Sequence, residues 1–195
     1  MEAGAKAASS AQDAAHGAEV VITMLPAGSH VLDVYFDTGR VARAAAEGAL
    51  FIDCSTIAVE DARQAPRLAA EAGFSMLDAP VSGGVGGASA GTLTFMVGGP
   101  ENVVEHLMPA FNAMGNEVHR LGPVGSGLKC KVVNNFVAAA GIVAVRHALA
   151  SADALGVERE TILEVMRTSS GSTWYGDNFD SIDWSDQAYA PTNTM

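Results

Sequence analysis

The sequence predicts an α/β chain, with parallel strands buried among helices in its first part and an all-α second part headed by one long helix. Three observations predict it. Two short runs, Val20 to Leu25 and Leu50 to Ile52, carry no charge, are rich in β-branched and large apolar residues, and end at Pro26 and Asp53. Such runs suit parallel strands buried on both faces. Helix-favouring stretches, Ser29 to Phe36 and Val41 to Glu47, lie between them, and strands alternating with helices indicate a layered α/β fold. The third observation is a change of texture after Gly122-Pro123: from about Gly127 to Leu155 there is no proline, few turn residues and many alanines, which predicts a single long helix. A boundary near Gly122 therefore divides residues 1–122 from 123–195.

The remaining elements follow from local signals. Val59 to Ala72 is rich in Ala, Glu and Arg and is followed by Gly73, the pattern of an amphipathic helix with a glycine cap. Ser75 to Asp78 and Thr92 to Val97 read as strands, with Gly98-Gly99 as a turn and Pro100 at the first position of a helix running to about Met114. Val118 to Leu121 reads as another short strand, and Glu158 to Arg167 as a helix ended by Ser169-Ser170-Gly171-Ser172. No period is evident after Gly176, and no internal repeat is found.

With 195 residues and 49% hydrophobic content, the chain has enough apolar material for a packed core. The net charge of −11, with eleven scattered basic residues, argues against nucleic acid, which calls for clustered Lys and Arg. No apolar run approaches the roughly 20 residues that span a bilayer, and no signal peptide opens the chain; the expectation is a cytoplasmic protein without a membrane partner. Cys54 and Cys130 lie far apart, with no His or Cys at zinc-ligand spacing, so the sequence supports neither a disulfide nor a metal site, and buried free thiols are expected.

Two constellations carry chemistry. Asp78-Ala79-Pro80-Val81-Ser82-Gly83-Gly84-Val85-Gly86-Gly87 places four glycines in five positions after a predicted strand. Backbone can approach a ligand closely there, and consecutive amides with the Ser82 hydroxyl could receive a small carboxylate; a structural glycine turn is the other reading. The second is Gly125-Ser126-Gly127-Leu128-Lys129-Cys130-Lys131-Val132-Val133-Asn134-Asn135. On a helix Lys129 lies about 200° around from Lys131, so only one lysine can face a given cleft. Lys131 has Asn134 and Asn135 at helical spacing, whereas Lys129 has two valines. That makes Lys131 the better catalytic candidate, against the alternative of an ordinary solvated lysine.

These motifs, together with Gly91-Thr92-Leu93-Thr94-Phe95-Met96-Val97-Gly98-Gly99, Thr23-Met24-Leu25-Pro26, Asp53-Cys54-Ser55-Thr56-Ile57 and Ser169-Ser170-Gly171-Ser172-Thr173-Trp174, resemble successive signatures of the 3-hydroxyisobutyrate dehydrogenases. These are NAD-dependent β-hydroxyacid dehydrogenases related to 6-phosphogluconate dehydrogenase, and the resemblance covers about residues 2 to 180. It implies a partial Rossmann-type, doubly wound domain followed by a partial helical domain. It further implies oxidation of 3-hydroxyisobutyrate to methylmalonate semialdehyde, a step of valine degradation, with NAD, or alternatively NADP, as acceptor. Ser82, Gly83 and Gly84 would hold the substrate carboxylate, Asn135 would bond near the reacting hydroxyl, and Lys131 would exchange its proton. Leu25, Pro26, His30 and Thr56 fall where the family lines its cofactor site, His30 with the loosest match. The family also implies a homo-oligomer formed through the helical domain.

Two departures qualify these expectations. Family members begin with a strand, a G-x-G-x-x-G turn and a helix that hold the pyrophosphate, and nothing in this sequence matches that unit. The later half of the family's helical domain is not matched either. The sequence therefore predicts that the 195 residues alone are not a competent dehydrogenase. The rivals are a relative acting on tartronate semialdehyde or on glyoxylate and succinic semialdehyde, and a non-catalytic chain associating with a full-length homologue.

Overall fold

The computed structural model describes residues 4–182. The chain forms two compact units, the first ending at Lys131 and the second beginning at Val132, so the division falls within one continuous helix.

In the first unit the order is α1 (Ala11–Ala15), β1 (Val20–Thr23), α2 (Gly28–Phe36), α3 (Val41–Ala44), β2 (Leu50–Asp53), α4 (Val59–Glu71) and β3 (Ser75–Asp78), then β4 (Val81–Ser82), α5 (Gly84–Ala90), β5 (Leu93–Val97), α6 (Glu101–Met114) and β6 (Gly115–Arg120). Helix α7 (Ser126–Leu155) leaves this unit, and α8 (Arg159–Thr168), α9 (Trp174–Asp177) and a 3-10 turn (Phe179–Ser181) follow in the second. Strands β1, β2 and β3 form a parallel sheet in that order, with Ile22 opposite Ile52 and Ile52 opposite Leu77. The other sheet has β5 at its centre, antiparallel to β4 and parallel to β6. Among the described residues, its strands join the first sheet at an antiparallel bridge between Asp78 and Gly98.

The core of the first unit has two parts. Val31, Tyr35, Phe51, Ala65, Ala69 and Met76 pack where helices cover one face of the parallel sheet, and Leu128 from the start of α7 joins them. Ile52, Leu77, Phe95, Val97, Leu107 and Phe111 fill the space toward α6. Fully burying one such side chain contributes about 1.5–3 kcal/mol, so these two clusters hold the strand ends, and the residues beyond them, in place. In the second unit Val145 and Leu149 of α7 pack on Leu163 of α8, with Met166, Tyr175 and Phe179 beside them.

The strand runs that lack charge, the alternation of strands with helices and the long helix all appear, and four local expectations are corrected. β1 is not buried on both faces: Val20 is 37% and Ile22 42% exposed, because β1 lies at the edge of its sheet among the described residues. The glycine run is not an open loop. Gly83 turns the chain at φ 129°, and Gly84 to Ala90 wind into a helix. Helix α7 reaches a mean hydropathy of 1.5 over 18 residues, so by length and composition alone it is apolar enough to cross a membrane and the expectation of no such run fails; the continuous stretch from Phe136 to Val145 raises the mean although Lys, Asn and Arg flank it. Both cysteines are free, but only Cys54 is buried and Cys130 is exposed.

Candidate functional site

Three candidate residues of the first unit stand beyond the carboxyl ends of parallel strands, where open parallel sheets present their ligand crevice. Leu25 and Pro26 follow β1, and Thr56 follows β2. Their loops are fixed to each other by a network that composition could not show. The buried Asp53 carboxylate ends β2, and its Oδ1 accepts from Thr23 Oγ1 at 3.0 Å, Ser55 Oγ at 2.6 Å and Ser55 N at 3.2 Å. Since the Ser55 hydroxyl donates to Asp53, its oxygen is free to accept, and it receives the Leu25 N–H at 2.8 Å. Thr23 likewise spends its proton on Asp53, so the buried Tyr35 hydroxyl, 3.2 Å away, must donate to Thr23. Every proton in the chain thus points toward one carboxylate, and β1, β2, α2 and both loops are tied through it.

Burial, the largest influence, raises the Asp53 carboxyl above its ordinary value of 3.8, while the bonds from Ser55 and Thr23 oppose that rise. Burial also pushes the neighbouring Cys54 thiol up to about 12, with the Asp53 charge adding to it. Cys54 is therefore an inert core thiol at neutral pH.

A second junction lies at the end of β3. Asp78 Oδ1 accepts the Gly125 N–H at 2.6 Å and Oδ2 the Leu128 N–H at 2.8 Å, so one side chain caps the first turn of α7 with both of its oxygens. The chain leaves Asp78 through Ala79-Pro80 into β4, where half-buried Ser82 pairs with Thr94, and then into exposed Gly83 and Gly84. Gly84 holds a left-handed φ of 59°, and a Cβ there would meet nothing within 4 Å. The amides that open α5 have no partner within the helix, as at any helix start.

Lys131 ends the unit. It is only 9% exposed, belongs to none of the three ion pairs among the described residues, and burial lowers its pKa from the ordinary 10.5. Lys129, two residues earlier, is exposed, as the 200° separation requires. Asn135 lies in the second unit and is half-buried, with Asn134 Nδ2 3.5 Å from its Oδ1. His30 is exposed in the first turn of α2.

Residues 1–122 match the family model for the NAD binding domain of 6-phosphogluconate dehydrogenase, and residues 125–192 match that for NAD-binding of NADP-dependent 3-hydroxyisobutyrate dehydrogenase. The chain belongs to the first of these families, that of the NAD binding domain of 6-phosphogluconate dehydrogenase. An NAD-dependent L-serine dehydrogenase of Pseudomonas aeruginosa is 48% identical over 174 residues, 89% of this chain and 58% of that protein. A 3-hydroxyisobutyrate dehydrogenase of the same organism is 46% identical over 175 residues, with the same coverage of 89% and 58%. Among solved structures, the Mycobacterium tuberculosis 3-hydroxyisobutyrate dehydrogenase with L-serine is similar at a TM-score of 0.76 and 41% identity, covering 86% of this chain and 56% of that one. The chain thus spans less than two thirds of the length of these relatives.

For a 3-hydroxyisobutyrate dehydrogenase-type chain the structure adds residues that the motifs pass over. Asp53, Ser55, Thr23 and Tyr35 fix the loops that carry Leu25, Pro26 and Thr56, and Asp78 fixes the start of α7. A signal for both aspartates exists in the sequence: each ends an apolar strand, Ile52-Asp53 and Leu77-Asp78, where a buried charge demands partners.

Proposed function

We propose that these residues belong to an NAD-dependent dehydrogenase that oxidises the primary hydroxyl of 3-hydroxyisobutyrate to methylmalonate semialdehyde, with NADP as the alternative acceptor. The observation that carries the reading is Lys131: a lysine nine-tenths buried and in none of the three ion pairs among the described residues, on the helix whose start is fixed to the strand that leads into Ser82. Burial without a counter-charge favours the neutral amine, which is the form a general base needs.

Leu25, Pro26 and Thr56 follow the carboxyl ends of parallel strands and so fit one side of a dinucleotide. The glycine-rich turn that holds the pyrophosphate in the family is not among these 195 residues. When bound, the dinucleotide supplies the hydride acceptor for the carbinol carbon. The chain's own residues would do the rest. Ser82, Gly83 and Gly84 would bind the substrate carboxylate through hydroxyl and amide N–H groups. Lys131 Nζ would take the hydroxyl proton as the hydride leaves, and in the reverse direction return it to the carbonyl oxygen. Asn135, one turn along α7 from Lys131, would hydrogen-bond the same oxygen and hold it toward the amine. The apolar residues exposed on α7, Val133, Phe136 and Val137, support assembly with a second copy through the helical region.

L-serine is the second reading, favoured by the names of two of the similar proteins. It has the same hydroxymethyl and carboxylate groups but an ammonium in place of the methyl. None of Ser82, Gly83, Gly84, Lys131 and Asn135 offers a carboxylate to that ammonium, and a protonated Lys131 would repel it. A chimera carrying these residues between the flanking segments of the P. aeruginosa 3-hydroxyisobutyrate dehydrogenase is expected to oxidise 3-hydroxyisobutyrate with a kcat/KM about tenfold or more above that for L-serine. The reverse order would transfer the reading to L-serine, and NADH formation from neither would support a non-catalytic role.

A further inference from the structure

The catalytic reading leaves unexplained why Asp78, a buried carboxylate that touches no predicted ligand, stands at the point where the carboxylate-binding segment and the lysine helix diverge. Its two oxygens are used separately, Oδ1 by Gly125 N and Oδ2 by Leu128 N. Its backbone is fixed too: Asp78 N donates to Gly98 O at 3.2 Å and Gly98 N to Asp78 O at 2.8 Å. No side chain cushions the junction. A Cβ built on Gly98 would stand 2.4 Å from Asp78 Oδ1, and one on Gly127 would stand 2.1 Å from Met96 O and 2.9 Å from Asp78 Oδ2. The first turn of α7 is therefore seated backbone against backbone, with the carboxylate as the one adjustable contact. Leu128, whose N–H that carboxylate holds, is buried in the core, and Lys131 lies three residues on, on the same face of the helix. Side chains of a helix lean toward its N-terminus, so the stem of Lys131 runs back over the turn that Asp78 fixes.

We propose that Asp78 is a positioning residue for Lys131: by holding the Gly125 and Leu128 amides it sets the rotation of α7 and with it the burial of the lysine. The inference rests on the proposed function only in what Lys131 is for; the positioning itself stands on this geometry. Asn at position 78 is not conservative here. It keeps one acceptor and turns an NH2 group toward an N–H donor, so an amide is left unsatisfied in a buried place. The groups that act on Asp78 are burial, which raises its pKa most, and the backbone N–H groups of Gly125, Leu128, Asp78 and Gly127, which lower it; no charged side chain takes part.

The chain has only three lysines, Lys6, Lys129 and Lys131, so reductive methylation with 13C-formaldehyde gives a short, assignable set of NMR resonances. In the wild-type chain the Lys131 methyl signal is expected to titrate below 10.5. In Asp78→Asn and Asp78→Ala its midpoint is expected to move upward toward that value, as the helix start loosens and water reaches the amine, with the Lys129 methyl signal as the internal control. A role in stability alone would lower the melting temperature and leave the Lys131 midpoint where it is, and that result in a folded variant overturns the proposal. Should neither variant fold, the wild-type chain decides. As acid protonates Asp78, the amide protons of Gly125 and Leu128 and the methyl signal of Lys131 should shift with one common midpoint, without Lys129; separate midpoints overturn it. Neither experiment needs turnover. A chain that passes both while Lys131→Ala leaves the activity of the chimera unchanged would break the catalytic role given to Lys131 and leave the positioning intact.

Discussion

Lys131→Ala is expected to lower kcat for 3-hydroxyisobutyrate oxidation in the active chimera by about 10²- to 10⁴-fold, the range for losing a general acid or base, with KM changed little. The comparison that gives this meaning is Lys129→Ala. Lys129 is the same residue type on the same helix and is exposed where Lys131 is 9% exposed, so its removal should cost no more than a few-fold, on the scale of a solvated surface side chain. If the two substitutions lose activity equally, the helix start contributes positive charge in general and Lys131 is not the proton-transferring group.

The second large effect is expected at Asp53. Asp53→Ala leaves the hydroxyls of Thr23 and Ser55 and the Ser55 amide without their acceptor in a buried place, at about 1–3 kcal/mol for each buried group that finds no other partner. Thermal unfolding should show a loss of about 3 kcal/mol or more, and cofactor binding should weaken as well, because the Leu25 amide is held only through Ser55. Asp53→Asn keeps the Oδ1 acceptor and removes the charge, and is expected to be much milder at neutral pH. The two carboxyl species also differ with pH. Folding raises the Asp53 pKa above 3.8, so its contribution to stability is fully present below about 3.8 and is lost as the pH rises through the folded value. The melting temperature of the wild-type chain, measured relative to Asp53→Asn, should therefore fall as the pH rises from acid toward neutral. A difference that grows in the opposite direction would show that the three hydrogen bonds outweigh the cost of burying the charge.

The parts of this molecule legible in the sequence are those where a single segment decides its own conformation. Leu50 to Asp53 and Ser75 to Asp78 are strands because each is a short apolar run, too short for a helix and closed by an aspartate, and the alanine-rich stretch to Leu155 has nothing to interrupt a helix. Lys131 was separable from Lys129 because helical periodicity alone sends them to different faces. What could not be read are contacts between segments distant in sequence. Nothing near Asp78 announces that its partners lie 47 and 50 residues further on, nor does Thr23 reveal that Asp53, 30 residues away, takes its proton. The glycine run misled in the other direction. Gly83 at φ 129° makes the tight turn that glycines suggest, yet Gly84-Val85-Gly86-Gly87-Ala88 go on to form a helix that buries none of its residues, against glycine's poor helix propensity of about 1 kcal/mol per residue.

The most direct measurement is the pH dependence of kcat/KM for NADH formation from 3-hydroxyisobutyrate, made on the chimera with Lys131 present and with Lys131→Met. With the lysine in place, the rate is expected to rise with pH as the amine loses its proton and to level off, with a midpoint below 10.5. The Met variant should be slow and should lack that ionisation. A profile that keeps the same midpoint and amplitude after Lys131 is replaced would contradict the assignment of Lys131 as the group that takes the hydroxyl proton.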